Sequence, residues 1–229
     1  MPEPTAADLL WAAPRTPKRG PRPRVRLDEI VATAVRLADA EGIAAASMQR
    51  VADELGVTKM ALYRYVPGRA ELVALMVDAA MGPAPEPAGD DWRAGLERWA
   101  RAMRDVFTAH RWLLATAVGP RVFGPNELGW TESGLAALAE LPLTAAERLD
   151  TLALVGAQQR GLLQQQTEGE VEARLGAMLA EVLAANAADY PLAAAAFGDA
   201  AADGEHDHAD DYGLARILDG IAALAAARR

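Results

Sequence analysis

The sequence contains no cysteine, so neither a disulfide framework nor a thiolate metal site can form. No uninterrupted apolar run approaches the length of a membrane-spanning helix. The N-terminus lacks a charged segment followed by an apolar core and a cleavage site, so no secretory signal is read there. A cytoplasmic protein without membrane contact is the expectation. There are only three histidines, too few for a catalytic dyad held on rigid elements. No phosphate-cradling glycine loop, nucleophile elbow or zinc-protease motif occurs. The chain is therefore expected to be no enzyme, with no catalytic residues, no metal and no cofactor. Lysine is confined to Lys18 and Lys59, which leaves arginine to carry the positive charge.

What the chain does have is alanine and leucine in quantity, which favours an all-α fold. Its best-organised stretch is Ser47 to Arg69, SMQRVADELGVTKMALYRYVPGR. Met48, Val51, Ala52 and Leu55 fall on one face of a short helix. Ser47 is placed to cap that helix, and Gly56 to end it. Thr58 is a second N-cap two residues later. The helix it opens should turn Leu62 and Val66 inward and Lys59, Tyr63, Arg64 and Tyr65 outward, until Pro67 and Gly68 stop it. Two short helices joined by a glycine turn, the second rich in cationic and phenolic groups, describe a helix-turn-helix. Lys59 can reach guanine edges, and Ala61 lets the helix approach a thymine methyl. Thr58, Tyr63, Tyr65 and Arg69 offer donors to phosphates. An ordinary helical hairpin with solvated charges is the alternative on spacing alone.

The order of these motifs resembles the N-terminal domain of tetracycline-repressor-like (TetR) transcription regulators across residues 27 to 80. The resemblance rests on a first helix from Ile30 ending in ADAEG, then SMQRVADELGV, MALYRYV and the RAELV start of a fourth helix. It implies that Ser47, Gln49 and Arg50 lie at the DNA-facing start of the second helix. Thr58, Lys59, Ala61, Tyr63, Arg64 and Tyr65 would lie on the recognition helix, and Arg69 at the start of the fourth. Many members have Phe where Val66 stands and Lys where Arg69 stands. The resemblance further implies a homodimer on a palindromic double-stranded DNA operator, most simply a repressor released by a small-molecule effector. A ligand-dependent activator with the same head, or a non-enzymatic helical interaction protein, is the alternative.

The net charge of −9 divides unevenly. Residues 1–80 hold 11 Lys and Arg against 10 Asp and Glu, leaving 12 against 22 for the remainder. A near-neutral head on an acidic body suits a protein that meets DNA with one end. Residues 1–26 are read as an N-terminal arm. Its first part, with Leu9, Leu10 and Trp11, is expected to be a disordered tail, or alternatively a short docking segment. Its second part, RTPKRGPRPRVR, is basic at Arg15, Lys18, Arg19, Arg22, Arg24 and Arg26, and its prolines favour an extended chain able to follow phosphates.

The head is assigned to residues 27–81 and the ligand-binding and dimerisation body to 90–229, across the linker GPAPEPAGD. Asp90 or Asp91 should cap a helix to about His110, with Trp92, Leu96, Trp99, Met103 and Phe107 on one face. A short helix over 111–118, a loop PRVFGPNEL, and a helix from about Leu128 to Leu141 follow. Thr144 and Glu147 form a capping box for a helix to about Gln166. Another helix is expected over 170–188, then a long connection over 190–209 and a last helix over 211–227. This part resembles the tetracycline-repressor-like C-terminal domain in its DDW start, GPNEL loop and helix order. By that resemblance Gly156, Ala157, Gly161 and the Leu214–Leu224 stripe suit a dimer interface, though they could instead pack within the protomer. Trp99, Met103, Phe107, Trp112, Trp130, Gln158 and Gln165 are the pocket candidates, since apolar walls with a few amides make a ligand site. The same stripe could be plain core. His206, Asp207, His208, Asp210 and Asp211 are read as a solvated connection, not a metal site.

Overall fold

Side-chain caps at Ser47 and Thr58 open the two short helices of the head. A computed structural model describes residues 4–12, 25–86, 89, 91–118, 121–166, 170–203 and 209–228, and among them every regular element is helical. Helix α1 spans Ala6–Leu10 and α2 spans Leu27–Glu41, where the Arg26 backbone N–H donates to the Glu29 carboxylate at 2.8 Å. Gly42 ends α2 in the left-handed region, at φ +84°. After a 3-10 turn at Ile43–Ala45, α3 (Met48–Glu54) opens on Ser47, whose hydroxyl accepts the Arg50 N–H at 3.2 Å. Gly56, at φ +63°, makes the turn, and Thr58 caps α4 (Lys59–Tyr63) by accepting the Ala61 N–H. Helix α5 spans Arg69–Met81. Ile30, Ala34, Val51, Ala52, Leu62, Val66, Leu72 and Met76 are wholly buried among these helices.

In the body, Asp91 caps α6 (Trp92–Ala109) by accepting the Arg93 and Ala94 N–H groups. Then come α7 (Leu113–Thr116), α8 (Pro125–Ala137), α9 (Ala145–Gln165), α10 (Glu170–Ala185), α11 (Pro191–Asp203) and α12 (Ala209–Ala226). Helix α9 packs on α6, α8 and α12. The Thr144–Glu147 capping box forms as expected.

Four expectations need correcting. The connection over 190–209 is largely helix α11, because Pro191 supplies a first-turn residue and the alanine run after it has high helix propensity. Helix α8 begins at Pro125, inside the presumed loop, with the Glu127 carboxylate accepting the Gly124 N–H. The Leu214 stripe faces inward: Leu214, Leu218, Ile221 and Ala225 are buried within the protomer, and only Leu224 remains open. The N-terminal tail is ordered over Ala6–Leu10, capped reciprocally by Thr5 and Asp8. Five residues make no stable helix alone. This one docks on α5, burying Leu10, and the Trp11 indole N–H donates to the Phe123 carbonyl at 3.0 Å. Arg15, Lys18, Arg19, Arg22, Arg24, His206, Asp207 and His208 lie outside the described residues.

Head and body are joined by hydrogen bonds between helix ends. The Asp78 carboxylate, near the end of α5, accepts the backbone N–H groups of Asn126 (2.9 Å) and Glu127 (3.1 Å) in the first turn of α8. Burial raises the Asp78 carboxyl above its ordinary range, and those N–H groups oppose the shift. In return, the Trp130 indole N–H of α8 is shared by the Met81 and Gly82 carbonyls at the end of α5, each 3.1 Å away. Asp39 of α2 makes a second junction, accepting the Trp112 indole N–H at 2.7 Å and lying 2.8 Å from His110 Nδ1.

Gly124 is required by this closeness, since a Cβ there would stand 2.2 Å from the Asp78 carboxyl carbon. Gly124→Ala is expected to destabilise the chain by about 1–3 kcal/mol, and an unchanged urea midpoint would show that the joint is loose. At the other end of the body, Arg228 makes a bidentate pair with Glu147, both contacts 2.6 Å. Arg228 and the Thr144 N–H pull the Glu147 carboxyl from 4.5 down to about 2. A depressed acid stabilises above its unfolded value and loses that stabilisation as pH falls. The difference in urea midpoint between wild type and Arg228→Ala should therefore hold above pH 4.5 and close towards pH 2.

Candidate nucleic-acid interface and ligand-binding interior

Most of the expected DNA-facing residues around the turn between α3 and α4 are open to solvent. Gln49, Arg50, Thr58, Lys59, Tyr63 and Arg64 are exposed, whereas Ser47, the N-cap of α3, and Ala61, whose N–H the Thr58 cap holds, are half-buried. The Lys59 ammonium lies 5.7 Å from the centre of the Tyr63 ring, so the two residues form one cationic and aromatic feature. Arg64 is the C-cap of α4, and Tyr65 follows the helix, half-buried against the core.

Three of the expected contacts carry internal partners. Gln49 donates to Asp53 at 2.8 Å, and Arg50 donates to Glu41 at 2.7 Å. Glu41, Ser47, Gln49, Arg50 and Asp53 line one shallow groove. A phosphate entering it would have to displace these acids from their partners. Arg69 donates to the Ala46 carbonyl at 3.1 Å and to the Ile43 carbonyl at 2.9 Å. Its guanidinium thus braces the turn before α3, with a separate nitrogen directed at each carbonyl. One residue escaped the sequence reading. Met60, 72% exposed, stands beside Lys59 on α4. It lies off the Leu62–Val66 stripe, and that spacing was the available signal.

In the body, Trp99, Met103, Phe107, Trp112 and Trp130 are all buried. Trp99 donates its indole N–H to the Trp130 carbonyl at 2.9 Å, and the two rings meet edge to face at 5.9 Å. Trp112 is committed to the Asp39 junction. Of the two chosen amides, Gln165 is exposed at the end of α9, whereas Gln158 is half-buried and turned towards Asp210 of α12. The deeply buried amide is Gln159, next to it, 1% exposed. Its register with Val155 and Leu163, four residues to either side, would have identified it. Asp210 itself, read as part of a solvated connection, is buried and ion-paired with Arg104.

The bracing role separates Arg69 from its neighbours. Arg69→Ala should lower stability by about 1–2 kcal/mol, while Lys59→Ala and Arg64→Ala should leave the urea midpoint in place. Equal midpoints for all three variants would remove the brace.

Residues 30–76 match the family model of bacterial regulatory proteins of the tetR family, and residues 84–225 match the tetracyclin repressor-like C-terminal domain. The chain is 40% identical over 237 aligned positions to the HTH-type transcriptional repressor DrrR1 of Streptomyces coeruleorubidus, covering 97% of this chain and 86% of that one. Apo ActR from Streptomyces coelicolor superposes with a TM-score of 0.78 at 27% identity, over 92% of this chain and 100% of that chain. ActR in complex with actinorhodin superposes at 0.75 with 28% identity, over 88% and 97%. No helix among the described residues is long and apolar enough to cross a membrane. The chain belongs to the tetR family of DNA-binding transcriptional regulators and carries a tetracyclin repressor-like C-terminal domain.

Proposed function

We propose that the chain is a cytoplasmic, homodimeric repressor that leaves a palindromic operator when its body takes up a small molecule. The reading rests on one observation above the others. Helix α5 belongs to the head through its core residues, yet its last turn and helix α8 satisfy each other's unpaired backbone groups. A change of α8 is therefore a change of α5. The head over 27–81 would read DNA through Thr58, Lys59, Tyr63 and Arg64, with Met60 against a thymine methyl. The basic arm would add phosphate contacts.

Dimerisation is supported by what the protomer leaves open. Leu149 and Leu154 of α9 are half exposed, and so are Leu175, Met178 and Val182 of α10 and Phe197 of α11. Helices α10 and α11 pack on each other, and a second copy would cover faces of this kind. Ala157 and Gly161 would let the α9 helices approach closely. Ligand response is supported by the likeness to ActR, solved with actinorhodin. An effector that favours a dimer with differently spaced heads, with a coupling of about 1–3 kcal/mol, weakens operator binding about 5- to 150-fold.

Selection of DNA from a random pool should enrich an inverted repeat. Lys59→Ala or Tyr63→Ala should abolish binding to it while the dimer persists. Neutralising the arm should weaken binding about equally on all sequences and reduce the log–log salt slope by about 0.9 per lost phosphate contact. A pool without any enriched repeat would sink the reading.

A further inference from the structure

Helix α9 buries Leu152, Val155, Gln159 and Leu163 on one stripe, so an amide occupies a place suited to an apolar side chain. Its two N–H donors are spent. Gln159 Nε2 donates to Gln158 Oε1 and, at 2.8 Å, to Asp210 Oδ1. Asp210 is buried and ion-paired with Arg104 of α6. Gln158 is confined in turn, because the missing side chain of Gly213 makes its room: a Cβ there would stand 2.9 Å from Gln158 Nε2. Turning the Gln159 amide over would set its oxygen against the Asp210 carboxylate, so its orientation is fixed. The consequence is a buried carbonyl oxygen, Gln159 Oε1, without a hydrogen-bond partner among the described residues. Such an acceptor is costly unless a donor reaches it.

The neighbouring helices contribute apolar side chains. Helices α6 and α12 both pack on α9. The buried stripe of α6 includes Met103 and Phe107, and that of α12 includes Leu214. Met103 Sδ comes within 3.4 Å of the Cβ position of Gly156, one turn before Gln159. We propose that Gln159 Oε1 is the polar anchor of the effector site and accepts a hydrogen bond from a hydroxyl group on an otherwise apolar molecule. This rests on the ligand-relieved reading above and adds the chemistry the ligand must carry. An ether or ketone in the same place would set lone pair against lone pair, so the site discriminates by donor and not by size alone.

The test compares β-naphthol with its methyl ether by titration calorimetry at neutral pH, on the full chain and on Gln159→Met. Wild type should prefer the alcohol by about tenfold, and the variant should reduce that preference below about threefold. Operator affinity without probe should be the same for both proteins. An ether that binds wild type as tightly as the alcohol overturns the anchor, as does a variant that keeps the preference or a wild type that binds neither probe. The wild-type comparison stands even if the variant fails to fold. Expected preferences with no loss of operator binding on adding the alcohol would support the anchor and sink the ligand-relieved reading, so the two failures are distinct.

Discussion

The carboxylate of Asp78 is the group on which the arrangement of head and body depends. An α-helix leaves its first N–H groups and its last carbonyls unpaired. Here α8 takes its missing acceptor from α5, and α5 takes a donor for its last carbonyls from Trp130 of α8. Neither helix end is complete without the other. The approach is close enough that residue 124 tolerates no side chain. Ser133 adds a further bond to the Pro85 carbonyl, so the linker itself is held against α8. A rigid connection of this kind is what transmission from body to DNA-reading helix needs, because a flexible linker would dissipate it.

The second junction uses the same physics with different groups. Asp39 of α2 receives the Trp112 indole N–H and meets His110 where α6 ends. Head and body are thus tied at both α2 and α5. Large aromatics serve here as core volume with one polar handle. Trp99, Trp112 and Trp130 each direct that handle to a partner on another element. On the candidate DNA face, the acids Glu41 and Asp53 hold Arg50 and Gln49 in place. DNA reaching Arg50 or Gln49 would have to compete with those partners, which favours selectivity over raw affinity.

Much of the head was legible because its signals are local. Ser47, Thr58 and Thr144 cap the helices that their neighbours suggested, and Gly42 and Gly56 take the left-handed conformations that end elements. The exposed cations and phenols of the candidate DNA face followed from the Leu62 and Val66 stripe. Local signals also misled. Pro125 and Pro191 read as loop residues, yet proline is favoured in the first turn of a helix, where no N–H is needed. The Leu214 stripe has the same spacing whether it faces a partner copy or its own protomer, and periodicity cannot tell which.

The sequence by itself determined the all-α class, the helix-turn-helix, the acidic body and the family, since each is written in short-range spacing, capping and charge. Tertiary structure alone decided which polar groups are spent and which remain. Arg69 became a brace, Gln159 and not Gln165 became the buried amide, Leu10 docked on α5, and Trp11 found an acceptor more than a hundred residues away along the chain. The physical reason is that a hydrogen bond between distant elements depends on where two backbones meet. No pattern within one helix contains that information.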